Sequence, residues 1–229
     1  MKSIGIIPAR GGSKGIPLKN IKELKGKPLI AYTIEASLGS DLDKVIVSTD
    51  SSDIARVAKG YGVEVVIRPR ELAADDTPTL PVLLHALTCV QNSSAYSAIV
   101  TLQPTSPFRT SDHINEALEL FNTDDSVDSL VSVVKIAHNM VPESIMKERD
   151  GYLENYITTN KEVLRRQDKA TYFARNGAAV YITRRDRINE FIFGGRILPY
   201  EMSMLESIDI DSAEDWTLAV ALMNSRDIG

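Results

Sequence analysis

Short apolar runs recur along the chain, each followed by a polar loop and then by an amphipathic stretch. The runs at 4–8, 44–49, 63–67, 97–102 and 129–135 are rich in Ile, Val and Leu and have the length of strands. Between them, 28–37, 53–60, 80–90 and 112–121 carry helical spacing. Strands that are apolar almost throughout have both faces covered, so the pattern predicts an α/β fold: a doubly wound, mostly parallel sheet with right-handed crossovers. From 137 to 172 the alternation breaks, yet Met140, Val141, Ile145, Met146, Tyr152, Leu153, Tyr156 and Ile157 are too apolar for a solvated loop. This stretch is expected to be an excursion that serves as a lid or as an arm to a second copy. Alternation resumes with a strand at 178–183, a helix at 186–191, a strand at 196–199, a strand running into Asp211, and a last helix at 213–224. There is no internal repeat, and the expectation is one domain over 1–229 with the arm at 137–172 inside it.

Composition narrows the function. With 229 residues, 43% hydrophobic and 25% charged, the chain has the make-up of a globular domain rather than of a disordered or fibrous one. A net charge of −5 provides no general field for a nucleic-acid backbone, so a small anion in a local cationic pocket is the better expectation. No apolar run approaches the roughly 20 residues of a membrane span, and the first residues lack a signal-like apolar core. The lone Cys89 excludes an intrachain disulfide and is expected to be buried filler; a cytoplasmic setting follows. His85, His113 and His138 are too scattered for a zinc triad.

Chemistry concentrates after the first run. Residues 8–20, Pro-Ala-Arg-Gly-Gly-Ser-Lys-Gly-Ile-Pro-Leu-Lys-Asn, set Arg10, Lys14 and Lys19 among three glycines at the carboxyl end of a strand, where open α/β sheets bind ligands. Glycines admit backbone N–H groups to phosphate oxygens and the cations neutralise them, so a polyphosphate is the natural ligand. The loop is no Walker A, because Gly26-Lys27 is followed by Pro28; nor is it a dinucleotide fingerprint, because Arg10 stands where a leading glycine belongs. Asp209 and Asp211, two apart in an extended segment, would share one strand face and suit Mg²⁺ beside a triphosphate. Asp211 is equally well placed to cap the helix that follows. Gln103 and Arg109 flank a Pro-Thr-Ser-Pro turn that can read substrate hydroxyls or simply stabilise itself.

The run IGIIPARGGSKGIPLKNI resembles the opening of the acylneuraminate cytidylyltransferases, the CMP-sugar-acid synthetases. Further blocks agree in order: VSTD at 47–50, RPRELA at 68–73, LQPTSPFR at 102–109, RRQD at 165–168, NGA at 176–178 and SIDID at 207–211. The resemblance implies a Rossmann-like nucleotidyltransferase that moves CMP from CTP to the anomeric hydroxyl of a nine-carbon 2-keto sugar acid and releases pyrophosphate. It implies Arg10, Lys19 and Gln103 as catalytic groups, and Ala9, Gly11, Gly12, Ser13, Asn20, Arg68 and Thr79 around the nucleotide, with Arg68 and Thr79 at the base. It further implies Gln103, Ser106, Arg166, Arg175 and Asn176 at the sugar, Asp209 and Asp211 at Mg²⁺, and a homodimer whose arm brings Arg166 to a partner's site. Two departures stand out. Residues 137–147 lack the His-His-Pro-like turn that places a lysine in many relatives, and Lys169-Ala170 replaces a common Leu-Pro, so neuraminate, legionaminate and pseudaminate types all stay open. An eight-carbon acid relative opens with a different loop, and a catalytically inactive nucleotide sensor is opposed by the intact Arg10, Lys19, Asp209 and Asp211.

Overall fold

The computed structural model describes residues 1–13, 15–157 and 170–226. The elements in order are β1 (Ser3–Pro8), β2 (Glu23–Leu24), β3 (Lys27–Pro28), α1 (Leu29–Leu38), β4 (Lys44–Thr49), α2 (Ser52–Gly60), β5 (Glu64–Ile67), α3 (Thr79–Cys89), β6 (Ala98–Thr101), α4 (Ser111–Asn122) and β7 (Ser129–Lys135). They continue with β8 (Met146–Arg149), β9 (Tyr152–Asn155), β10 (Phe173–Arg175), β11 (Tyr181–Arg184), β12 (Ile197–Glu201) and α5 (Ala213–Arg226). The main sheet runs β10-β7-β11-β6-β1-β4-β5, and β12 pairs with β7. Pairs β1–β4, β1–β6, β4–β5 and β12–β7 are parallel, whereas β11 runs antiparallel between β6 and β7 and β10 antiparallel beside β7.

The period of two along each apolar run explains why both faces are covered. Ile7, Val45, Val47 and Val100 pack on one side with Ile30 and Ile34 of α1, Ile54 of α2 and Phe121 of α4. Ile4, Ile6, Ile46 and Ile99 point the other way, against Leu83, Ala86 and Leu87 of α3. Local signals fix the helix starts: Ser51 caps α2, and Thr110 with His113 forms a capping box on α4. On α5 the cap is Ser212, whose hydroxyl accepts from the Asp215 amide at 3.2 Å while Asp215 accepts from the Ser212 amide at 2.8 Å. That reciprocal pair leaves the Asp211 carboxylate available for other work.

Three expected elements differ. Residues 186–191 make isolated turns rather than a helix; six residues close too few bonds to repay nucleation, and Asp128 draws the chain outward through Arg187 at 2.9 Å and the Arg196 amide at 2.8 Å. The segment before Asp211 joins no sheet: its backbone is held by the Ile210 amide on the Thr105 carbonyl at 2.8 Å. The strand expected at 178–183 starts at Tyr181, because Gly177 and Ala178 both take positive φ, +72° and +60°. Within the excursion, β8 and β9 form a hairpin that pairs with no other strand among the described residues. Tyr152, Leu153 and Tyr156 on it are 79%, 67% and 62% exposed. Cys89 is exposed at the end of α3, against the expectation of burial, with Sγ 3.9 Å from His85 Nε2. Among the described residues no helix is long and apolar enough to cross a membrane.

Candidate active site

The parallel strands β1, β4, β5 and β6 all end at one edge, and β1, β5 and β6 each hand a loop to the same cleft of about 540 Å³. After β1 come Arg10, Ser13, Lys19 and Asn20; after β5, Arg68; at the start of α3, Thr79; after β6, Gln103; and from the segment before α5, Asp209 and Asp211. A second cavity of about 460 Å³ adjoins it, sharing Thr79, Gln103 and Gly177 and adding Arg175, Tyr181, Ile192 and Phe193. Two compartments thus meet at Gln103.

The cationic loop is braced from several sides. The Asn20 amide nitrogen donates to the Arg10 carbonyl at 3.0 Å, and the Gly11 amide donates to Asp50 Oδ1 at 3.0 Å. Arg10 pairs with Asp75 at 2.8 Å and also reaches the Ala74 carbonyl. Lys19 donates to the Ile210 carbonyl at 2.7 Å and to Asp211 Oδ1 at 2.8 Å. Gly15 permits this docking, because a Cβ there would stand 2.4 Å from the Asp211 carbonyl oxygen. Arg68 is buried, and burial pulls its guanidinium below the ordinary range while Asp50, 3.7 Å away, opposes the shift. Its Nε has no hydrogen-bond partner among the described residues, which leaves a donor at the cleft wall.

Burial also pushes the Asp209 carboxyl up to about 6 from an ordinary 3.8, with the Thr105 hydroxyl and Lys19 pulling it down and Asp211 pushing it further up. Asp209 Oδ1 is buried and has no hydrogen-bond partner among the described residues. Gly177 makes room for this side chain, since a Cβ at its position would lie 2.0 Å from Asp209 Oδ2. Among the described residues no cluster of three metal-ligating side chains exists. Two carboxylates lining one cleft, one of them with an orphan oxygen, nevertheless fit a hard divalent cation that completes its shell with phosphate and water. In the second cavity, the Arg175 guanidinium lies 4.7 Å over the Phe193 ring, which meets Tyr181 edge-on at 5.4 Å. Burial raises the Tyr181 hydroxyl, and Arg175 opposes the shift. An arginine against an aromatic wall suits an acid with some apolar surface.

Several expected residues stand apart from the cavities. Ala9 is fully buried behind the loop, Gly11 faces Asp50, and Gly12 is exposed with open space around it. Ser106 is buried and lines neither compartment. Asn176 is buried in a network of its own: its oxygen accepts from Ser132 at 2.6 Å, and its nitrogen donates to Ser207 at 3.0 Å and faces the Met202 sulfur. It braces the approach to Asp209 rather than lining either cavity. Arg109, which flanks the turn expected to read hydroxyls, is buried beneath it and grips main-chain carbonyls. Lys14 and Arg166 lie outside the described residues. Sequence reasoning gave no role to Asp50, Asp75, Tyr181 or Phe193. The acidic pair Asp75-Asp76 between two loops was a usable signal for the second, whereas nothing local marks Phe193.

The sequence matches the family described as cytidylyltransferase over residues 4–227. The chain belongs to that family. It is 37% identical to the N-acylneuraminate cytidylyltransferase of Escherichia coli O18:K1:H7 (strain RS218 / NMEC), over 98% of this chain and 53% of that one. It is 34% identical to the CMP-N,N'-diacetyllegionaminic acid synthase of Legionella pneumophila subsp. pneumophila, over 97% of both. The chain spans about half the length of several of the curated relatives it matches, and almost the full length of the Legionella protein. Among solved structures, CMP:2-keto-3-deoxy-manno-octonic acid synthetase complexed with CTP superposes with a TM-score of 0.75 at 18% identity, covering 99% of this chain and 100% of that one. At that identity the likeness is one of fold, and it agrees with the mostly parallel, doubly wound sheet of this cytidylyltransferase.

Proposed function

We propose that this cytidylyltransferase transfers CMP from CTP to the anomeric hydroxyl of a nine-carbon 2-keto sugar acid and releases pyrophosphate. The observation that carries the reading is the junction at Gln103 of a cationic cleft bearing two aspartates with a cavity bearing an arginine and an aromatic wall. The triphosphate would lie along Arg10, Ser13 and Lys19, and cytosine against Arg68 and Thr79; a base with little apolar area must be chosen by hydrogen bonds. The sugar hydroxyl attacks the α-phosphorus and gives its proton to solvent water, and the bond from the α-phosphorus to the bridging oxygen of the leaving pyrophosphate breaks. Arg10 and Lys19 neutralise the charge that develops on the leaving pyrophosphate, Arg as a planar fork and Lys as a point charge. Gln103 orients the hydroxyl at the meeting of the two compartments. Asp209 and Asp211 would hold Mg²⁺, which when bound offsets phosphate charge. The curated relatives named for N-acylneuraminate and for diacetyllegionaminic acid support a nine-carbon acid.

The working unit in this reading is a homodimer in which the 137–172 arm buries its exposed apolar residues against a second copy and Arg166 serves the partner's sugar carboxylate. The setting is the cytoplasm, which an exposed free thiol at Cys89 suits. The test is pyrophosphate release from CTP with a panel of nine- and eight-carbon sugar acids, with and without Mg²⁺. Release with nine-carbon acids supports the reading; release with an eight-carbon acid alone changes the substrate, and silence with every acid rejects transfer.

A further inference from the structure

Arg109 is 2% exposed, and among the described residues it has no ion pair. Burial alone pulls its guanidinium down to about 9, so it stays charged at neutral pH. A cation in that position costs desolvation that an apolar side chain of similar length would avoid, so its acceptors hold the reason for it. One terminal nitrogen donates to the Gln103 carbonyl at 3.1 Å and to the Ala179 carbonyl at 2.8 Å, and the other donates to the Thr33 hydroxyl. Thr33, in α1, donates in turn to the Gln103 carbonyl at 3.3 Å. From the opposite side the Gln103 amide donates to the Ala178 carbonyl at 3.1 Å. Both main-chain groups of Gln103 are therefore fixed, and fixed to the turn at 177–179.

That turn and Gln103 are the wall between the two cavities, since Gln103 and Gly177 line both. The turn is also strained, with Ala178 at φ +60° directly after Gly177 at +72°. A non-glycine residue holds such a conformation only where its surroundings over-determine it. The Arg109 fork and the Gln103 amide supply that determination on consecutive carbonyls, those of Ala179 and Ala178.

We propose that Arg109 is a positioning residue for the acceptor step. Through two carbonyls its fork locks Gln103 against the 177–179 turn and sets the spacing between the nucleotide and acceptor compartments. The assignment rests on the functional reading above. A fork is required rather than a charge: lysine would keep the cation but could not span the carbonyls and the Thr33 hydroxyl in one plane.

The test compares Arg109→Lys and Arg109→Met with the wild type by steady-state kinetics, by CTP binding, and by amide hydrogen exchange at Gln103. Expected are a CTP affinity within about threefold, a kcat lowered at least about tenfold with a raised KM for the sugar acid, and faster exchange of the Gln103 amide. The two variants should behave alike. Turnover within about twofold of wild type in either folded variant overturns the proposal, as does a loss of CTP binding in proportion to the loss of kcat. If both variants fail to fold, Thr33→Val, which removes the bridging hydroxyl, must show the same split, and unchanged kinetics and exchange there overturn it. Failure of the wild type to use any sugar acid rejects the functional reading instead, and exchange at Gln103 still reads the clamp.

Discussion

Lys19 Nζ lies 2.7 Å from the Ile210 carbonyl and 2.8 Å from Asp211 Oδ1, so one ammonium ties the phosphate loop to the aspartate segment. The side chain of Lys19 is 13% exposed and that of Asp211 74%, which leaves the carboxylate the more open partner. Lys19→Met should therefore lower kcat/KM by about tenfold to a hundredfold, the scale of a charge-assisted bond. Steady-state kinetics with CTP varied checks this, and an unchanged kcat/KM would remove Lys19 from the machinery.

Arg10 offers a different balance, because its partner Asp75 must yield when phosphate arrives. Arg10→Ala should cost about 2 kcal/mol or more of transition-state stabilisation. Asp75→Asn should act the opposite way, lowering the KM for CTP by up to about fivefold, because the pair is partly exposed and such pairs contribute at most about 1 kcal/mol. A raised KM in Asp75→Asn would mean that the acid orients Arg10 rather than competing for it.

The raised carboxyl of Asp209 has a sign that can be checked. A carboxyl whose folded value, about 6, stands above its ordinary 3.8 stabilises the fold while protonated. That contribution is complete below about 3.8 and is lost as pH rises past about 6. In chelated buffer Asp209→Asn should thus melt above the wild type at pH 8, with the difference shrinking toward zero near pH 4. Activity should depend on a divalent cation, and the Mg²⁺ concentration it requires should rise as pH drops through about 6, where a proton competes with the cation for Asp209. Melting curves and Mg²⁺ titrations of activity across pH read both, and full activity after verified metal removal would reject the cation's role.

Gly177→Ala should abolish turnover, since the new methyl meets the Asp209 carboxylate on a backbone already at positive φ. Strain of about 1–3 kcal/mol is expected from such a site. Asn176→Ala should lower the melting temperature by several degrees, as the Ser132 hydroxyl loses its acceptor and the Ser207 hydroxyl its donor. Turnover loss in Asn176→Ala should follow Asp209 function, seen as a higher Mg²⁺ requirement, rather than a higher KM for the sugar acid. The reverse pattern would return Asn176 to the sugar site.

For the proposed dimer arm, Leu153→Asp should shift the sedimentation toward monomer, because that residue is 67% exposed on a hairpin that pairs with no other strand among the described residues. Mixed Arg10→Ala and Arg166→Ala chains should recover partial turnover through hybrid dimers. A wild type that is monomeric at working concentration and fully active would reject the dimer.

The sheet was legible because its strands are buried on both sides and therefore spell out runs such as KVIVST without interruption. That the cationic loop lines the cleft was legible because cations among glycines at a strand end have few other uses. What sequence could not carry was direction and depth. Nothing in the run at 181–184 distinguishes an antiparallel β11 from a parallel strand, since its neighbours bury it equally either way. Arg109 and Asn176 look like surface chemistry in sequence, yet both are buried, because carbonyls and hydroxyls from other parts of the chain bond them. Asp211 could have been a cap, and only the Ser212–Asp215 exchange shows that the cap lies one residue later.

The Lys19 tie spans 191 residues of chain, and its consequence lies in the order of synthesis. The strands β1, β4 and β5 can associate once the first third of the polypeptide has emerged, because they are near in sequence and adjacent in the sheet. The phosphate loop leaves the ribosome with them but waits for its opposite wall until residue 211 has been made, roughly 10 to 40 s later at ordinary elongation rates. Nascent chains of this protein therefore carry a half-built sheet whose cationic loop lacks its opposite wall. On the proposed reading, a chain arrested before Asp209 has that loop but neither of the carboxylates that would hold the cation.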